Sequence, residues 1–121
     1  EYLKYSFNFF RETKFQCEQL IKLCVDKNYY SIVLSDKSEF SEILILTAID
    51  TEVNIVGLLG EENDNYCGKK IIDKIEVGSS VNAIIMTKLD EPNIRYKFLK
   101  NKYSKYHIVV PKFLDLEREL L

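Results

Sequence analysis

Glycine is scarce in this chain, and its four glycines, Gly57, Gly60, Gly68 and Gly78, leave the whole stretch from Tyr30 to Asp50 without one. Histidine is rarer still, with His107 standing alone, and the three cysteines, Cys17, Cys24 and Cys67, include no C-x-x-C pair. An odd, scattered cysteine set argues against a disulfide framework and fits reduced thiols serving as small apolar residues of a cytoplasmic protein. One histidine and three dispersed cysteines are too few for an ordinary metal site. A single histidine in a strand, with no nucleophile-elbow glycines beside any serine, excludes the common Ser-His-Asp and Cys-His arrangements. No apolar run approaches ~18 residues, so no transmembrane helix is expected. The opening Glu1-Tyr2-Leu3-Lys4 has no apolar core of a signal peptide. It also lacks an initiator methionine, so the chain is expected to be a piece of a larger protein. A net charge of −2 gives no reason to expect nucleic acid or an anionic membrane as partner.

The chain has 121 residues, 46% hydrophobic and 30% charged, enough for one ordinary globular core. Tyr2 to Asp26 reads as one long helix. Leu3, Phe10, Cys17 and Cys24 recur every seven residues, with Phe7 and Ile21 at intermediate positions and Lys14 interrupting the seam. Two readings stand: an apolar face packed on a sheet, or a dimer helix or connector to another domain. The early aromatics Tyr2, Tyr5, Phe7, Phe9 and Phe10 exceed one stripe and favour a partner for some of them. Residues 1–28 are therefore set apart from a second unit, 29–121.

Within that unit Ser31–Leu34 reads as a strand and Ser38–Ile49 as a helix with Phe40, Ile43, Leu44, Thr47 and Ala48 on one face. Val53–Leu59 is the second strand and Lys70–Ile72 a short third. Val81–Thr87 is a buried strand, and Tyr106–Val110 is the last, stopped by Pro111. Asp90 is expected to cap a helix with Pro92 in its first turn and Ile94, Phe98 and Leu99 inside. Phe113, Leu116 and Leu120 stripe a terminal helix. Alternating strands and helices predict an α/β domain of three layers, with a mostly parallel sheet of four or five strands in the order 3-2-1-4-5.

The first strand, turn and helix form the βαβ entrance at which a dinucleotide turn carries G-x-G-x-x-G/A. Here Asp36, Ser38 and Ser41 occupy the three small-residue positions, with Lys37, Glu39 and Phe40 between them. Asp36 places a carboxylate where a pyrophosphate belongs, at a cost of about 4 kcal/mol per like-charge pair at ~4 Å and an effective dielectric near 20. Either Asp36 or Ser38 caps the helix and occupies the anion site itself, or the helix N-terminus and Lys37 hold a phosphate. Glu61, with Glu62 beside it, lies where such folds place the acid that holds a ribose.

The segment Ile32-Val33-Leu34-Ser35-Asp36-Lys37-Ser38-Glu39-Phe40-Ser41-Glu42-Ile43-Leu44 resembles the "I-Y-G-A-G-E-F-A-E-I-L" opening of small Rossmann-like domains of CoA-binding and nucleotide-sugar type. Val53–Leu59 is similar to their "I-K-I-V-G-V-V-D", Gly68-Lys69-Lys70 to their "G-K-K", and Val81–Thr87 to their "Y-D-A-V-I-I-T". Such domains stand at the front of sugar acyltransferases and behind winged-helix regulators of surface-polysaccharide genes. The resemblance spans residues 30–110 and implies a Rossmann-like fold. It departs from the family at all three turn positions and at Gly60, which replaces the usual acid of the second loop.

Arg95, Lys97, Lys100, Lys102 and Lys105 alternate with Tyr96, Phe98, Tyr103 and Tyr106, a pattern that can serve anion or single-strand binding but reads better as a solvated helix face. The expectation is thus a non-catalytic regulatory or interaction domain of a larger protein, without a cofactor, homodimeric through its first helix. The alternative is a module that binds a nucleotide, nucleotide-sugar or CoA-like anion through Asp36, Lys37, Ser38, Glu39, Ser41 and Glu61.

Overall fold

A computed structural model describes residues 2–88 and 90–112, with side chains from Asn8 onward. The elements in chain order are α1 (Tyr2–Asp26), β1 (Ser31–Leu34), α2 (Glu39–Ala48), β2 (Asn54–Leu59), β3 (Asn65–Tyr66), β4 (Lys69–Ile72), β5 (Ala83–Ile85), α3 (Pro92–Lys102) and β6 (His107–Val109). They build an α/β fold around one sheet in the order β3-β4-β2-β1-β5-β6. All neighbouring pairs are parallel except β3–β4.

The five parallel strands stand in the expected order, but the sheet has six strands rather than four or five. The addition comes from the acidic loop after Gly60, which returns through Cys67 (φ 50°) and Gly68 (φ 80°) as a two-residue hairpin turn. Positive φ at both central positions matches the right-handed twist of the flanking strands. The turn pairs Asn65 with Lys70 and Tyr66 with Lys69.

Successive strand residues point to opposite faces, and β1 divides accordingly between two cores. Ile32 and Leu34 join Cys17, Cys24, Phe40, Leu44, Ile55 and Leu58 in the core that receives α1 and α2. Val33 joins Leu59, Ile84, Met86, Tyr96 and Leu99 in the core that receives α3. Gly57 marks a close approach in the sheet. The register between β1 and β2 skips Val56, and a Cβ on Gly57 would stand 2.6 Å from the Lys70 carbonyl oxygen of β4. Only glycine lets these backbones close here.

The heptad seam of α1 divides in two. Thr13, Cys17, Leu20, Ile21 and Cys24 are buried, so the C-terminal half packs within the domain. Phe10 lies on the same stripe and is 48% exposed. The cause is length: the 25 residues of α1 span about 37 Å and the 10 of α2 about 15 Å, so α1 overhangs the helix that covers it. The side chains of Leu3 and Phe7, and the expected terminal helix with Phe113, Leu116 and Leu120, lie outside the described residues.

Two expectations for α3 fail. Its N-cap is Glu91, in the left-handed region at φ 49° and without a side-chain cap, rather than Asp90; Pro92 does open the helix. Its inner face is Tyr96, Leu99 and the following Tyr103, at i, i+3 and i+7, while Ile94 (65%) and Phe98 (46%) are exposed. Tyr96, three residues before Leu99, shares its face of the helix and takes the inner position. Phe98 is left outside, where the Arg95 guanidinium stands 4.9 Å and the Lys102 ammonium 5.6 Å from its ring centre.

Burial raises the Cys17 thiol from 9.0 to about 12 and that of Cys24 to about 11. Between pH 9 and these values the unfolded chain sheds protons that the folded chain retains, so stability falls as pH rises through that window. Urea midpoints should therefore decline above pH 9, and less steeply in a Cys17→Ala, Cys24→Ala double variant. Native alkylation should modify the exposed Cys67 well before the two buried cysteines.

Candidate functional site

In an open α/β sheet, ligands bind at the carboxyl ends of the strands where the strand order reverses. Here that point lies between β1 and β5, since the chain moves from β1 to β2 on one side and later to β5 on the other. The residues just beyond these strand ends are Ser35, Asp36 and Thr87, and they are bonded to one another.

The Thr87 hydroxyl donates to the Asp36 carbonyl at 2.6 Å and accepts the Asp36 N–H at 3.0 Å. The Thr87 N–H donates to the Ser35 hydroxyl at 2.9 Å, which itself donates to Asp36 Oδ2 at 2.7 Å. From α3, Arg95 Nε donates to the same Oδ2 at 2.9 Å, and a second guanidinium nitrogen donates to the Ser35 carbonyl at 2.9 Å. This ion pair is largely enclosed, with side chains 19% (Arg95) and 24% (Asp36) exposed.

Ser38 completes the closure. It is the N-cap of α2, where its hydroxyl accepts the Ser41 N–H at 3.1 Å and donates to the Thr87 carbonyl at 2.7 Å. The buried Ser41 hydroxyl donates to the Asp36 carbonyl. Each hydroxyl proton in the cluster has an acceptor, and no buried side-chain nitrogen or oxygen among the described residues lacks a partner.

The remaining expected site residues stand apart. Lys37 is exposed and pairs with Glu62 at 3.0 Å, and the Glu62 carboxylate raises the Lys37 pKa. Its ammonium also stands 5.8 Å from the ring centre of Tyr66, whose hydroxyl donates to the Ser38 carbonyl at 3.2 Å. Glu39 is exposed in the first turn of α2, where a carboxylate favours the helix dipole. Glu61 is not brought to the turn. It lines a separate open cleft of about 510 Å³ together with Ile72, Lys74 and Ile75.

Ser35, Thr87 and Arg95 were not among the expected site residues. The sequence pattern places Arg95 on an outer basic face, but its guanidinium turns inward. A usable signal existed: Ser35 and Thr87 are the polar residues that end the apolar runs of β1 and β5. Among the described residues, no group of three or more His, Cys, Asp or Glu side chains is placed to hold a metal ion, and no helix is long and apolar enough to cross a membrane.

The arrangement offers a phosphate little. Asp36 presents a carboxylate already neutralised by Arg95, and the α2 terminus spends its Ser41 N–H on Ser38. Thr87→Val should test the cluster, because it keeps the shape and deletes a hydroxyl that both gives and receives. The expected loss is about 1–3 kcal/mol of unfolding free energy by urea titration, with the Asp36 N–H left unsatisfied. Lys37→Ala, at an exposed pair, should leave the midpoint unchanged. No protein-family model, curated protein or solved structure matches this chain.

Proposed function

We propose that this chain is a non-catalytic, three-layer Rossmann-like regulatory or interaction domain of a larger protein, and that it self-associates through α1. The observation that carries the first part is the Asp36–Arg95 pair, seated with Ser35 and Thr87 over the β1–β5 switch point. Helices on opposite faces of a mostly parallel sheet support the layering. The occupied switch point supports a role that does not use a nucleotide.

Calorimetric titration with NAD, NADP, FAD, ADP and CoA should give no binding below the millimolar range. Asp36→Gly removes the carboxylate and releases Arg95, so this variant should gain measurable ADP affinity at low salt. Micromolar binding by the unaltered chain would overturn the reading and favour a nucleotide, nucleotide-sugar or CoA-binding module. An Asp36→Gly variant with unchanged affinity would show that Asp36 is not what closes the crevice.

The overhang of α1 supports self-association. Phe10 continues the buried stripe of Thr13 and Cys17 past the end of its intramolecular cover, and two such stripes, packed together, would bury each other's aromatic surface. Light scattering should show a dimer that Phe10→Ser shifts toward monomer, with the circular dichroism of the folded chain retained and a melting midpoint that no longer rises with protein concentration. A monomer at every concentration tested would refute this part alone.

A further inference from the structure

The sheet has two edges, the two-residue β3 on one side and β6 on the other. β3 pairs along β4, whereas β6 is the terminal strand on the other side, with no strand beyond it among the described residues. Beside β6 lies a cleft of about 500 Å³, walled by Leu23 and Lys27 at the end of α1 and by Tyr96 and Lys100 of α3. Because α1 and α3 belong to cores on opposite faces, a cleft that they share with β6 lies along the sheet's edge.

The charge of this cleft is of one sign. Lys27, Lys100 and Lys105 line it and, among the described residues, no Asp or Glu does. The ion pairs among the described residues involve other lysines and Arg95. The aromatic rings are already engaged. Tyr29 stacks on His107 with ring centres 4.9 Å apart and packs against the α1 core, and Tyr106 leans on Tyr103 at 6.3 Å. These rings therefore stiffen the walls, and recognition is left to the lysines and the backbone.

The backbone is oriented for it. The Val109 carbonyl accepts the Met86 N–H at 2.9 Å, so Val109 faces β5. Backbone groups alternate direction along a strand, which turns the amide and carbonyl of Ile108 outward into the cleft. Lysines beside an open edge disfavour pairing with a second copy of the same basic edge and select a strand of opposite charge.

We propose that the outer edge of β6 is a docking site for an extended acidic segment of a partner protein. The segment adds to the sheet as one further strand, bonds to Ile108, and sets its carboxylates against Lys27, Lys100 and Lys105. The site is separate from the switch point and does not depend on the reading given for it.

The test uses the whole chain and a fluorescein-labelled peptide of alternating glutamate and valine, followed by anisotropy at low salt. Three comparisons accompany it: an alternating lysine–valine peptide, a glutamate–proline peptide of equal charge that cannot form the ladder, and single-stranded oligo-dT. The glutamate–valine peptide should bind best and slow hydrogen exchange at the Ile108 amide. A Lys100→Glu, Lys105→Glu variant should weaken it about tenfold while its melting midpoint is retained. Equal binding of the glutamate–proline peptide, tighter binding of oligo-dT, no binding of any peptide, or unaltered exchange at Ile108 would each overturn the proposal.

Discussion

At the carboxyl ends of β1 and β5 the hydroxyl of Thr87 continues the backbone pairing two residues past the strands. It donates to the Asp36 carbonyl and accepts the Asp36 N–H, so a side chain does what a further ladder residue would do. Arg95 then ties α3 to the same point through Asp36 and Ser35. Through these contacts one residue, Asp36, joins β1, the cap of α2, the end of β5 and the first turns of α3. Removing its carboxylate strands the Arg95 charge, which is why its partners matter more than the small net value usual for an exposed pair.

The absence of glycine in the β1–α2 turn and the presence of this network are two sides of one constraint. A glycine turn leaves its backbone groups open for a ligand. Asp36, Ser38 and Ser41 instead bring side-chain oxygens that must find donors and acceptors once the turn is half-buried. They find them in Thr87, in Ser35 and in one another. The atoms that stand at the three small-residue positions supply the bonds that seat α2 and α3 on the sheet.

What the sequence made legible was whatever rests on periodicity. The long α1, the β1–α2–β2 unit and the order of the five parallel strands follow from apolar spacing and from the rule that parallel strands need crossovers. The role of Ser38 as a cap was also readable, since serine before a helix has a strong local preference. Three features were hidden. The β3–β4 hairpin spans two residues and depends on positive φ at Cys67, a residue that does not advertise such a turn. The inner face of α3 depends on whether Tyr96 or Phe98 goes inside, and ring hydrophobicity alone does not decide it. The inward turn of Arg95 depends on Asp36, 59 residues away in sequence, which no local pattern connects to it.

The helices and strands also differ in where they stop, and those mismatches leave the domain's unsatisfied surface at its periphery. α1 outruns α2, so its apolar stripe continues into solvent at Phe10. β4 gains a hairpin partner, whereas β6 ends the sheet with an outward-facing backbone and lysines for neighbours. Among the described residues the interior has no such remainder, because its polar groups close on one another around Asp36. A chain arranged in this way has its strand-end crevice filled by its own side chains. On the proposed reading, the backbone at β6 and the aromatic surface on α1 are the groups that meet other polypeptide.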